Sequence, residues 1–304
     1  MADNTVYDSA FKTMVHRTPR LLIPLINEGF NQQYSEDEPI VLLCDEHEKG
    51  TESRYTDSVF RLRDKLYHVE CQSTSDTDMV VRMIEYDFAI AFERVEKTDG
   101  LYEMHFPESC VLFLRHDEKT PDTLRMKVTL SDGQSFFYEA GVVKAQEYSN
   151  TELFEKKLLI LLPYYLMRYE KALGFIESDA VETAKLIAEC AELRSQLEAA
   201  TLAAGDSLLY EQLTELIIRV VDHLMKTHDV LREKVRRTMG GEVLELMHER
   251  AERMEREARQ QGLEQGLEQG LEQGLESVAK KLAELGVEQS LIEEAVTAAR
   301  DAQE

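Results

Sequence analysis

Residues 54–72 read RYTDSVFRLRDKLYHVECQ, and the interpretation of the whole chain turns on them. Two strand-type runs, Tyr55 to Arg63 and Leu66 to Gln72, flank a short polar turn at Asp64–Lys65, a pattern that predicts a β-hairpin. Side chains alternate along a strand. Leu66, His68, Glu70 and Gln72 therefore share one face, and Tyr67, Val69 and Cys71 the other. Asp57 lies near the start of the first strand, which a hairpin brings alongside the second. Two carboxylates, Asp57 and Glu70, converging at a sheet edge would make an oxygen-donor site suited to Mg²⁺ or Mn²⁺. The same alternation also fits a hairpin with one wet face, on which Glu70, Gln72 and a surface His68 simply point to solvent. The pattern D-x(12)-E-x-Q leaves both readings open.

On the N-terminal side, residues 7–28 carry apolar Phe11, Met14, Val15, Leu22 and Ile26 at helical spacing, with Pro19 and Pro24 expected to break the helix. Ile40 to Cys44 reads as a short strand, and Asp45 to Ser53 as a charged loop. On the C-terminal side, Asp76 to Val95 reads as a helix, with Met79, Met83, Tyr86 and Ile90 near the 3.6 period and Thr77 or Asp78 as its cap. Ser109 to Leu114 is a buried strand. Thr123 to Leu130 and Ser135 to Tyr138 form a hairpin around Asp132–Gly133. From Thr151 the chain reads as mostly helical. These elements predict an α/β fold, with a core over residues 1–150, a helical region over 151–241 and an acidic helical tail over 242–304.

The tail holds an internal repeat, Gly262-Leu-Glu-Gln followed by the same motif from Gly266 and Gly270 and by Gly274-Leu-Glu. A four-residue period suits a helix, but each glycine costs about 1 kcal/mol relative to alanine. Close approach of a second helix would offset that cost. Residues 243–276 are therefore expected to pair with another helix, most simply from a second copy, making the protein a homo-oligomer with coiled-coil character.

The chain has 304 residues and a formal net charge of -24. That balance argues against broad, non-specific nucleic-acid binding, which needs Lys and Arg to displace counterions. It leaves room for a local site where a metal offsets the carboxylates. The basic run Arg232-Glu-Lys-Val-Arg-Arg237 is the densest basic patch and reads either as a nucleic-acid contact or, more commonly, as a charged helix face. The four cysteines, Cys44, Cys71, Cys110 and Cys190, form no C-x-x-C pair and predict neither structural zinc nor disulfides. Neither a signal peptide nor a membrane-spanning run is evident, so a cytoplasmic location is expected. The other histidines show no ligand spacing.

Tyr55-Thr-Asp57-Ser-Val-Phe-Arg-Leu62 followed by Leu66-Tyr-His-Val-Glu70-Cys-Gln72-Ser73 resembles the PD-(D/E)XK nuclease superfamily. It is more closely similar to the recombination-promoting nuclease (Rpn-like) branch, whose members are also described as transposase-like. Tyr7-Asp8-Ser-Ala-Phe11-Lys12 is similar to that branch's opening helix. Arg82-Met-Ile-Glu-Tyr86 is similar to its following helix, and the G-L-E-Q repeats to its chain ends. The resemblance implies a restriction-endonuclease-like mixed sheet flanked by helices, and Mg²⁺- or Mn²⁺-dependent endonuclease action on DNA as a transient partner. It also implies Asp57 and Glu70 as metal ligands. Gln72 would stand where the motif lysine usually is, without that residue's charge. Asp8 and Arg82 would be accessory residues, the first near the metal (or an N-cap for its helix) and the second toward phosphate. The alternative is a catalytically degenerate nuclease-fold protein that serves as an assembly module.

Overall fold

The computed structural model describes residues 4–43, 46–47, 54–55, 58–74, 76, 78–240 and 281. Asp57, Cys44, Thr77 and nearly all of the tail, including the glycine repeats, lie outside the described residues. Those up to residue 240 belong to one compact unit.

The fold is α/β, a six-stranded mixed sheet flanked by helices. Its strands are Ile40–Leu43 (β1), Ser58–Leu62 (β2), Lys65–Gln72 (β3), Glu108–Phe113 (β4), Thr123–Thr129 (β5) and Ser135–Lys144 (β6), in the order β1-β2-β3-β4-β6-β5. The pairs β1–β2, β2–β3 and β6–β5 are antiparallel, whereas β3–β4 and β4–β6 are parallel. The connection between parallel β3 and β4 contains the helix Met79–Phe92 (α3), since parallel neighbours need a crossover.

The β2–β3 hairpin is as expected, with its turn one residue earlier. Leu62 pairs with Lys65, so Arg63 and Asp64 make the bend. Arg63 adopts φ +54°, unusual for a residue with a Cβ. Its guanidinium bonds both oxygens of Glu38, at 2.9 and 2.8 Å, which tethers the turn from outside. The β5–β6 hairpin turns at Asp132–Gly133, where Gly133 takes φ +87°. A further hairpin, Glu96–Thr98 with Leu101–Glu103, turns on Asp99–Gly100 with positive φ at both residues. The Asp-Gly dipeptide was its sequence signal.

Helices Asn4–Arg17 (α1) and Leu22–Gly29 (α2) are separated at Pro19, as the sequence suggested. Pro24 breaks nothing. It sits in the first turn of α2, where a backbone N–H has no intrahelical partner to lose. After β6 come Asn150–Glu155 (α4), a long 3-10 stretch Leu159–Ala172, Leu173–Ser178 (α5), Ala180–Thr201 (α6) and Ser207–Leu224 (α7), and residues 229–240 are helical too. Ser149 and Glu152 form a reciprocal cap on α4, while Asp179 and Asp206 cap α6 and α7. None of the helices among the described residues is long and apolar enough to cross a membrane.

Helices cover both faces of the sheet, which explains why β3 is buried continuously from Tyr67 to Cys71. On one face, Tyr67 stacks on Phe60 with centroids 5.8 Å apart and also meets Phe30. On the other, α3 lays Met79, Met83 and Ile84 over Val111, Phe113, Leu124 and Tyr138. Arg115, just after β4, ties distant parts together. It donates to Glu170 at 2.6 and 2.8 Å, to the Ser73 carbonyl at 3.1 Å and to the Tyr7 hydroxyl at 3.2 Å.

Phe60 is fully buried and Arg61, its neighbour on β2, is exposed. Phe60→Ala is expected to lower unfolding free energy by about 3–5 kcal/mol. Arg61→Ala should change it by about 0.5 kcal/mol or less. Urea midpoints of the two variants, read at unchanged slope, check the assignment of this strand.

Candidate functional site

The β3 residues facing α3 form the site. His68 and Glu70 alternate onto that face, and the helix delivers Asp87 to meet them. Asp87 is in phase with Met83 and Ile90 on the buried side of α3, so its carboxylate is driven into the helix–sheet interface. There it is fully buried. Its Oδ1 accepts from His68 Nδ1 at 2.7 Å, and its Oδ2 accepts from Ser109 Oγ at 2.7 Å and Tyr138 Oη at 2.6 Å. His68, Ser109 and Tyr138 stand on β3, β4 and β6, three adjacent strands. One carboxylate thus fastens α3 across half the sheet.

The other imidazole nitrogen, Nε2, lies 2.9 Å from Glu70 Oε1. An ionised carboxylate only accepts, so an imidazole bonded to two of them must carry a proton on each nitrogen. Burial disfavours the imidazolium, but the hydrogen bonds and charges of Asp87 and Glu70 outweigh it and raise the His68 pKa from 6.5 to about 9. The setting is nearly dry, with Glu70 3% exposed and His68 and Asp87 fully buried. Burial and the Asp87 charge hold the Tyr138 phenol protonated, well above its usual range. Tyr86 packs edge-on to His68, centroids 6.1 Å apart.

Two residues along β3, Gln72 is half-buried and accepts at Oε1 from Arg82 Nη2 on α3, at 3.1 Å. The register partner of Gln72 is Phe113, which lines a cavity of about 250 Å³ with Asp76, Asp117, Lys119 and Thr120. The cavity lies at the carboxyl ends of the parallel strands, where open α/β sheets characteristically bind ligands.

The structure therefore brings together Glu70, Gln72 and Arg82 of the residues singled out from sequence. Asp57, the second expected metal ligand, lies outside the described residues, so its convergence with Glu70 is not described. Asp8 is not an N-cap. It lies within α1 and forms an ion pair with Lys12, one turn on, at 3.3 Å. His68 is not a surface histidine, because α3 covers the face that the hairpin alone would leave wet. Nor do Glu70 and Gln72 simply point to solvent. Asp87, Ser109 and Tyr138 were missed, although an aspartate in phase with Met83 and Ile90 was a readable signal. The basic run near residue 234 is a charged helix face: Arg232 pairs with Asp229, Arg236 with Asp222 and Arg237 with Glu233.

For a divalent cation, Glu70 is a suitable oxygen ligand, oriented by its bond to His68 much as outer hydrogen bonds orient metal ligands generally. Asp87 is unsuitable, since both its oxygens serve the sheet. Among the described residues, no group of three or more His, Cys, Asp or Glu could hold a metal ion. No protein-family model matches the chain, and no curated protein or solved structure matches it either.

The His68 shift has a definite sign. Its folded pKa lies above the ordinary value, so its contribution is complete below pH 6.5 and is lost as pH rises through about 9. The amount is on the order of 3 kcal/mol. Urea unfolding at pH 6, 7.5 and 9 should show this fall, and His68→Gln should flatten it. Asp87→Ala strands three buried donors and is expected to cost about 3–5 kcal/mol at pH 7.

Proposed function

We propose that the chain is a metal-dependent DNA endonuclease, hydrolysing phosphodiesters with Mg²⁺ or Mn²⁺. The observation that carries this reading is the placement of Glu70: a buried, hydrogen-bonded carboxylate on a central strand, two residues from Gln72 and its Arg82 partner. The mixed sheet, with an antiparallel β1–β2–β3 meander followed by α3 and a parallel β4, supports it. So does chain connectivity. Asp57 directly precedes Ser58, whose partner across the ladder is Val69, the residue before Glu70.

In this reading Asp57 and Glu70 hold the cation. When bound, the ion would supply a water of lowered pKa and a counter-charge for the phosphodiester. The chain's own part is to orient. Asp87 fixes the imidazole of His68, His68 fixes one oxygen of Glu70, and α3 keeps water from the charge network. Gln72 orients a phosphate oxygen or water through its amide. A second reading, a non-catalytic assembly module, is favoured by the neutral residue at position 72 and the net charge of -24.

Nicking of supercoiled plasmid by the purified full-length protein separates the two. Expected is weak cleavage with Mg²⁺ or Mn²⁺, none with EDTA, and a fall to background in Asp57→Ala and Glu70→Ala. Variants that cut as well as the parent would place the activity elsewhere. No metal-dependent cleavage from the parent would leave the assembly reading.

Self-association through residues 243–276 is proposed alongside, since close helix pairing would offset the cost of the repeated glycines. Light scattering across a concentration series should give a larger assembly for the full chain than for one ending at Gly241. Equal masses would remove this role.

A further inference from the structure

We propose that the cavity beside the end of β3 takes an unpaired guanine base, and that this base belongs to the nucleic acid being cut. The second half rests on the endonuclease reading above, whereas the first rests on the lining alone.

The cavity holds about 250 Å³. Sites for drug-sized ligands run to roughly 300–1,000 Å³, so this one suits a single ring system. Phe113, Pro121 and Leu124 give it apolar walls, and Asp76, Asp117 and Lys119 bring charge. Part of the polar lining is already engaged. The Thr120 hydroxyl donates to Asp117 Oδ1 and accepts from the Asp117 N–H, both at 3.1 Å. Asp117 Oδ1 also accepts from the Lys119 N–H, and Asp76 Oδ1 from the Asp78 N–H, each at 2.9 Å. The bonds from the Lys119 N–H and the Thr120 hydroxyl hold the Asp117 carboxyl below its usual range, so it is ionised at neutral pH. Among the described residues, nothing engages Asp76 Oδ2, Asp117 Oδ2 or the Lys119 ammonium. The cavity thus offers a ligand two acceptors and one cationic donor.

That set discriminates between bases. Along its pairing edge guanine presents O6, N1–H and N2–H, one acceptor and two donors. Adenine and cytosine each set a single amino group beside an acceptor, and thymine sets one N–H between two carbonyls. Each of these leaves a carboxylate facing a lone pair, with the cost of an unmet polar group. Lysine on guanine O6 and carboxylates on base amino groups are recurring pairings in nucleic-acid recognition. A plain cation would satisfy the two acids but would set Lys119 against a like charge. The pairing edge is covered in a duplex, so the guanine is one that is single-stranded or turned out of the stack. Position ties it to the nucleic acid. Phe113, in the cavity wall, is the register partner of Gln72, one strand spacing or about 4.8 Å across the sheet.

The test uses the full-length protein in EDTA, so that nothing is cut, and fluorescence anisotropy with labelled thymidine oligomers whose central base is varied. Guanine should bind about tenfold or more tighter than adenine, cytosine or thymine at that place. Hypoxanthine, which lacks the 2-amino group, should fall about threefold or more below guanine. Asp117→Asn keeps the Oδ1 acceptor that its turn needs and replaces Oδ2 with an N–H donor. It should abolish the guanine preference and leave both thymine binding and the urea midpoint as in the parent. A merely structural aspartate would move those two instead. The proposal is overturned if the bases bind within about twofold of one another, less than one hydrogen bond is worth. It is overturned equally if hypoxanthine matches guanine or if Asp117→Asn keeps the preference. Guanosine monophosphate should bind more weakly than the guanine oligomer, and equal affinity would overturn the nucleic-acid half. Metal-dependent cleavage without any guanine preference defeats this inference and leaves the endonuclease reading standing. Guanine preference without metal-dependent cleavage defeats that reading and leaves the guanine site.

Discussion

A single buried carboxylate sets the geometry of the site. Asp87 has no solvent to stabilise its charge, so it must find donors within the protein. It finds three, one on each of three neighbouring strands. Apolar packing between α3 and the sheet is non-directional and tolerates small slides of the helix along the strands. Three short hydrogen bonds to one carboxylate do not. They fix the register of the helix over the sheet, and with it the approach of Arg82 to Gln72 one turn earlier on the same helix. Breaking such a network is costly, whereas the pair of Arg63 with Glu38 is screened by solvent and contributes little.

The outline of this arrangement was legible in the sequence because it depends on local rules. Period-two alternation put His68, Glu70 and Gln72 on one face, and the structure keeps them there. The 3.6 period placed Met79, Met83 and Ile90 on one side of a helix, and Asp132–Gly133 gave its hairpin away. What escaped depends on residues far apart in the chain. The β2–β3 turn moved by one residue to Arg63, which is anchored by Glu38, twenty-five positions earlier. Whether Leu66, His68 and Glu70 face water or protein is decided by α3, and hairpin alternation looks the same in either case. Proline 24 misled for a simpler reason: position within the helix, which the sequence does not mark, decides whether proline breaks it.

The site also shows how charge is distributed in an acidic protein. The chain's carboxylates outnumber its cations, and most arginines on the described surface are paired with acids. Along β3 the balance shifts within two residues. At His68 and Glu70 the ionisable groups are buried and hydrogen-bonded to one another. At Gln72 the guanidinium of Arg82 is met by a neutral amide oxygen. The carboxylates and the guanidinium therefore have separate environments and need not neutralise one another.

Arg115 carries a consequence beyond its local contacts. It reaches the carbonyl of Ser73, immediately after the site strand, and holds it against Tyr7 of the first helix and Glu170 of the helical region. The peptide that leads from Gln72 toward α3 is thus braced by residues some hundred positions later in the chain. The change from strands to helices near residue 150 is no seam in packing, since the described residues up to 240 belong to one compact unit. A fragment ending there would keep every strand of the sheet and lose the buttress beneath its most chemically loaded end. The sheet-bearing half and the helices that follow would have to be exchanged or engineered as a single piece.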